Sequence, residues 1–148
     1  MVSFPIKNAV PLQVLVNRKM PLEEADIIRR RAEAFLKNAA SLLKDGDWDL
    51  AVFSLEQYCQ LILKYKLLIK VGSYPRTHSL RRLIRELAGL YPHLLSLVDD
   101  EERLHYIARL EEAYIASRYL PYSYEEREAL SLHRFVIDTF KKLMDELS

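Results

Sequence analysis

The chain has 148 residues, 50% hydrophobic and 29% charged, with a net charge of +1, a composition that fits one globular domain able to bury a core without disulfides or structural metal. Near-neutral charge excludes a protein that coats nucleic acid by bulk positive charge. The lone Cys59 excludes an internal disulfide framework and fits a reducing compartment. No apolar run is long enough for a membrane span and no cleavable leader is readable, so a cytoplasmic location away from membranes is expected.

Residues 1–20 carry Phe4, Ile6, Val10, Leu12, Val14 and Val16 mostly at alternate positions, with Pro5 and Pro11 among them. That pattern predicts an extended N-terminal arm, followed by a helical domain over 21–148. Pro21 suits the first turn of a helix, and Ala25, Ile28, Ala32, Phe35, Ala39 and Leu42 recur at steps of three and four. Gly46 stops this helix, and Asp47 or Asp49 can cap the next. The second helix has an apolar stripe at Ala51, Ser54, Tyr58, Leu61, Tyr65 and Leu68 and ends near Val71. Its second stripe, Leu50, Phe53, Gln57, Gln60, Lys64 and Leu67, is apolar at the ends and polar in the middle, as expected of a central helix with two neighbours.

After the loop from Gly72 to Thr77, a third helix uses Leu80, Leu83, Ile84 and Leu87 and stops at Gly89. A short helix follows Pro92. The acidic run from Asp99 to Glu102 suits the positive end of a further helix, continued by Leu104, Ile107, Leu110 and Tyr114. Ser123 and Glu126 form a candidate capping box for the last helix, whose stripe is Ala129, His133, Val136, Phe140, Leu143 and Leu147. No sustained period-two alternation follows residue 20. The fold class read from these patterns is all-α: a four- to five-helix up-and-down bundle with Phe35, Tyr58, Leu61, Ile107 and Phe140 in its core.

Chemistry-bearing motifs are few. Asp45, Asp47, Asp49 and Glu56 match the carboxylate positions of a calcium loop, but Leu50 occupies the position that needs glycine, so turn and cap roles are expected. Neither zinc spacing nor a glycine-rich phosphate loop is present, so no metal or cofactor is expected. Cys59 reads as a core residue. The Arg29, Arg30, Arg31 run and the Arg81, Arg82, Arg85 cluster read as solvated faces or ion-pair partners.

Several segments together resemble the HEPN domain family, the higher eukaryotes and prokaryotes nucleotide-binding fold. They are the turn Gly46-Asp47-Trp48-Asp49-Leu50-Ala51, Glu56-Gln57 and Leu63-Lys64, the loop Pro75-Arg76-Thr77-His78-Ser79-Leu80, and Ser117-Arg118-Tyr119 with Pro121. The resemblance covers about residues 22–147. It implies a helical bundle that often dimerises and often accompanies a small nucleotidyltransferase. It also implies a nucleotide or RNA phosphate as ligand, with Lys64, His78, Arg118 and Tyr119 as candidate contacts. Some members are metal-independent ribonucleases of toxin–antitoxin systems, using an Arg followed after four to six residues by a His. Arg118 matches that Arg, while the matching His positions hold Ser123, Tyr124 and Glu125. A nuclease reading therefore pairs Arg118 with His133, brought close by bundle packing or a second subunit. A purely structural dimerisation module is the remaining alternative.

Overall fold

The computed structural model describes residues 12–119 and 123–148, with side chains described for 22–116 and 123–148. The elements are α1 (Leu12–Asp45), α2 (Trp48–Val71), α3 (Leu80–Ala88), a 3-10 turn (Pro92–Leu95) and α4 (Ser96–Asp99). They are followed by α5 (Glu101–Tyr119), α6 (Glu126–Phe135), a π-helical segment (Val136–Lys141) and α7 (Lys142–Asp145). Among the described residues there is no strand, and the architecture is the expected helical bundle.

The extended arm is corrected over residues 12–20, which are helical because α1 begins at Leu12. The apolar residues read there as alternating also fit steps of three and four, at Leu12, Leu15, Val16 and Met20. Pro21, taken as a first-turn residue, lies inside the helix, where it removes one backbone donor. Residues 1–11, the rest of the arm, lie outside the described residues.

The hairpin of α1 and α2 closes at Gly46, whose positive φ of 78° lets the amide of Asp47 reach the Leu42 carbonyl at 2.9 Å. Gly72 ends α2 in the same left-handed region, its amide donating to the Leu68 carbonyl at 3.0 Å. Gly89 differs: it keeps a helical φ of −60°, and α3 stops through a tightened turn with the Leu90 amide on the Leu87 carbonyl at 3.0 Å.

Helix α2 is the centre of the bundle, packed against α1, α3, α5 and α6. Ala32 and Ala39, both fully buried, give α1 a small-residue face against it. Leu80, Leu83, Ile84 and Leu87 bring α3 onto the core. Tyr106 of α5 stacks on Phe135 of α6 at 4.9 Å between ring centroids, and Tyr58 meets Phe140 edge to face at 6.2 Å. Tyr58, Ile107 and Phe140 are buried as expected, whereas Phe35 and Leu61 are half-buried at the margin of the cluster.

Two expected caps take other forms. Asp47 is the N-cap residue of α2 but its side chain makes no capping bond, and Asp49 instead accepts from the Tyr124 amide at 2.6 Å. The N-cap of α6 is Glu125, which leaves Ser123 two residues outside the cap position and unable to form the capping box. The calcium-loop spacing is likewise overruled, because Asp49 and Glu56 lie within α2.

Candidate functional site: a polar seam opening into a cleft

Glu56, Gln60 and Lys64 are spaced by four, so α2 sets them in one row running from the interior to the surface. Glu56 is wholly buried and Gln60 is 4% exposed. The Glu56 carboxylate accepts from Gln57 Nε2 and Gln60 Nε2, each at 2.7 Å. Burial pushes the Glu56 carboxyl up to about 7, an effect the two amide donors and Lys64 oppose and the nearby Glu111 carboxylate reinforces.

The other end of the Gln60 amide faces outward. Its Oε1 accepts from Lys64 Nζ at 3.0 Å and lies 3.0 Å from His78 Nδ1. An ammonium only donates and an ionised carboxylate only accepts, so the amide has one orientation that satisfies both Glu56 and Lys64. His78 then carries its proton on Nδ1. The His78 ring stacks on Tyr114 of α5, with centroids 4.3 Å apart and planes within 22°.

The chain turns toward this point for local reasons. Thr77 Oγ1 accepts from the Ser79 amide at 3.1 Å, and Ser79 Oγ accepts from the Arg82 amide at 3.2 Å, which caps α3 immediately after His78. Glu111 anchors the same corner from α5, accepting from Ser79 Oγ at 2.9 Å and from Arg81 Nε at 2.8 Å. Arg81 is thereby an ion-pair partner of Glu111, and Arg29 pairs with Asp26 and Glu33. Arg82 and Arg85 face solvent.

Where the seam reaches the surface it opens into a cleft of about 610 Å³, lined in part by Glu24, Lys64, Tyr74, Arg76, Thr77 and His78. Lys64 Nζ sits 5.4 Å from the centre of the Tyr74 ring, and the Tyr74 hydroxyl donates to Glu24 at 3.3 Å. Burial lowers the Lys64 pKa from its ordinary value, with the Glu56 carboxylate opposing the shift. An ammonium and a guanidinium on one concave surface, joined by the imidazole when it is protonated on both nitrogens, form a set of donors suited to a phosphate group.

The family model of the HEPN domain matches residues 25–144. The chain belongs to the HEPN domain family. It has no match among the curated proteins or the solved structures compared with it.

Of the four expected contact residues, this HEPN domain brings Lys64 and His78 together on Gln60. Arg118 and Tyr119 end α5, with Arg118 one helical turn beyond Tyr114. Their side chains lie outside the described residues, as does Pro121. His133 is half-buried on α6, where burial lowers its pKa. Tyr106 stacks on Phe135 and Arg109 Nε donates to Glu128 at 2.6 Å, which sets α5 and α6 antiparallel with His133 level with Tyr106. Arg118 is twelve residues further along α5, roughly 18 Å at about 1.5 Å per residue.

Sequence reasoning missed Gln60, Arg76, Tyr74 and Tyr114 as members of the site. Gln60 was legible as the polar middle of a stripe whose ends are apolar. Tyr114 was assigned to the apolar stripe of its helix, and its stacking on His78 depends on a chain crossing that periodicity does not report.

Proposed function

We propose that this HEPN domain is a phosphate-recognising module that binds a nucleotide or an RNA segment in the cleft formed by α2 and the loop that leads to α3. One observation carries the reading: the Lys64 ammonium and the His78 ring converge on a single buried carboxamide oxygen beside Arg76. Such preorganisation lowers the entropy lost when a ligand phosphate is gripped. Arg118 and Tyr119, at the end of the helix that carries Tyr114, complete the proposed contact set.

Titration calorimetry with AMP, ATP and a short single-stranded RNA tests the reading. Arg118→Ala should weaken binding by about 1.5–3 kcal/mol with the fold intact, and Arg118→Lys should not restore it, because an ammonium lacks the planar donor fork. A lowered melting temperature with unchanged ligand affinity would favour the structural-module reading instead. RNA cleavage in the presence of a chelator, lost in both Arg118→Ala and His133→Ala, would replace the binding module with a metal-independent ribonuclease.

The proposal extends to assembly. Leu22, Ile69 and Val71 are exposed near the open end of the α1–α2 hairpin, where Ala25, Ile28 and Leu68 form a small separate cluster. Exposed apolar residues grouped in this way support a homodimer, with a small nucleotidyltransferase as the proposed heterologous partner. Light scattering at micromolar concentration distinguishes dimer from monomer.

A further inference from the structure

The seam beneath the cleft has a property that phosphate recognition alone does not require. Lys64 and His78 reach the cleft from different elements, α2 and the loop ahead of α3, yet both hold the same atom, Gln60 Oε1, at 3.0 Å. That atom belongs to a side chain 4% exposed, whose other end is held at 2.7 Å by the wholly buried Glu56. Gln57 holds the second carboxylate oxygen at 2.7 Å, so the carboxylate is fixed from both sides. No buried side-chain donor or acceptor among the described residues is left without a partner. The buried inner part of this chain, Glu56 and Gln60, is fully satisfied and so held in one geometry, and a change there alters the half-buried Lys64 and the exposed His78 at its outer end.

We propose that Gln60 is a positioning residue: its carboxamide, oriented by Glu56, fixes the separation of the Lys64 ammonium and the His78 ring and holds the His78 proton on Nδ1. The inference rests on the reading of the cleft as a phosphate site, and it assigns Gln60 no contact with the ligand. A histidine ring in water prefers its proton on Nε2, so the Nδ1–H form is a signature of the Gln60 acceptor and not of histidine itself. The stack on Tyr114 fixes the plane of the ring but not its tautomer. The tautomer therefore reports on Gln60 separately from the Tyr114 stack.

The experiment uses the full chain with inorganic pyrophosphate as probe. Nitrogen-15 chemical shifts of the His78 ring are recorded for wild type, Gln60→Leu and Gln60→Glu at a pH where the ring is neutral. Wild type should show the Nδ1–H pattern. Gln60→Leu should move the neutral ring to Nε2–H and, by removing the acceptor that holds the Lys64 ammonium and supports the doubly protonated His78 ring, weaken pyrophosphate binding by about tenfold. Gln60→Glu keeps an acceptor of the same length for both groups, with one proton shared between the introduced carboxylate and that of Glu56. It should retain the Nδ1–H pattern and an affinity within about threefold of wild type.

A wild-type ring protonated on Nε2 overturns the proposal, as does an Nδ1–H pattern unchanged in Gln60→Leu. A tautomer that shifts while pyrophosphate affinity stays constant also overturns it. If Gln60→Leu does not fold, the wild-type tautomer and the behaviour of Gln60→Glu decide. If the wild-type chain binds no pyrophosphate, the phosphate reading fails, and the ring shifts still judge the positioning role by themselves.

Discussion

Two polar assemblies join the helices of this bundle, one rooted in the core and one nearer the surface, and they end differently. The seam from Glu56 through Gln60 to Lys64 and His78 begins in the core and ends at an open cleft. The second assembly is a clasp around Arg109. Its guanidinium pairs with Glu112 and Glu128 and lies 5.1 Å from the centre of the Tyr124 ring, while the Tyr124 hydroxyl returns a bond to the Arg109 carbonyl at 3.1 Å. The Tyr124 amide then reaches Asp49, which ties the starts of α2 and α6 to the middle of α5. In the clasp the one cation, Arg109, meets two carboxylates of the same chain. In the seam the charges at the two ends are separated by a neutral amide, which leaves the field of the outer cations directed at the cleft. A polar network that closes on itself holds a fold together; one that ends at a cavity prepares a site.

Four measurements test this contrast. The largest effect is expected from pH. The Glu56 carboxyl is raised from 4.5 to about 7 on folding, chiefly by burial. A raised carboxyl pKa contributes stability that is fully present below about 4.5 and lost as pH rises through about 7. Wild type should therefore lose on the order of 3 kcal/mol relative to Glu56→Gln across that window, read by urea unfolding at each pH. Parallel pH profiles for the two proteins would remove Glu56 from the account.

The next effect belongs to the clasp. Arg109→Ala removes the partner of the exposed Glu112 and the half-buried Glu128 together with the contact on the Tyr124 ring, and should cost about 1–2 kcal/mol of stability, with pyrophosphate affinity unchanged. A matching loss of affinity would show that clasp and seam are one unit. Lys64→Ala should do the reverse: about tenfold weaker pyrophosphate binding with a stability change below about 1 kcal/mol. An unfolding midpoint that falls as steeply as in Arg109→Ala would show the seam to be structural. The smallest effect is expected at Leu61, next to Gln60 but only half-buried. Leu61→Ala should cost about 1 kcal/mol, against about 2–5 for the fully buried Leu63→Ala. Equal costs would mean that the α2 face beside the seam is as tightly packed as the core.

Much of the fold was legible because the signals are local. Steps of three and four at Leu80, Leu83, Ile84 and Leu87 predicted a helix that the structure confirms with all four side chains buried. Gly46 and Gly72 marked true helix ends because a left-handed residue is cheapest as glycine. Residues 12–20 were misread for an equally local reason: a short apolar run with prolines on both sides fits alternate and helical spacing together. Of the candidate site, Lys64 and His78 were reached through the family resemblance. Arg76, three residues from a helix cap in a loop, had no periodic pattern to single it out.

The sequence alone determined that α2 would be a helix with two working faces, because the period of the backbone dictates which residues share a side. It also determined that Gln57, Gln60 and Lys64 would interrupt one of those faces with polar groups. What those groups do was decided by tertiary structure. Burying Glu56 raised its pKa, docking α3 brought His78 onto Gln60, and α5 supplied Tyr114 and Glu111 from more than thirty residues away in the chain. Hydrogen bonds and desolvation act over a few ångströms in space, so only the folded packing of α2, α3 and α5 could turn a polar interruption in one helix into a cleft with aligned donors.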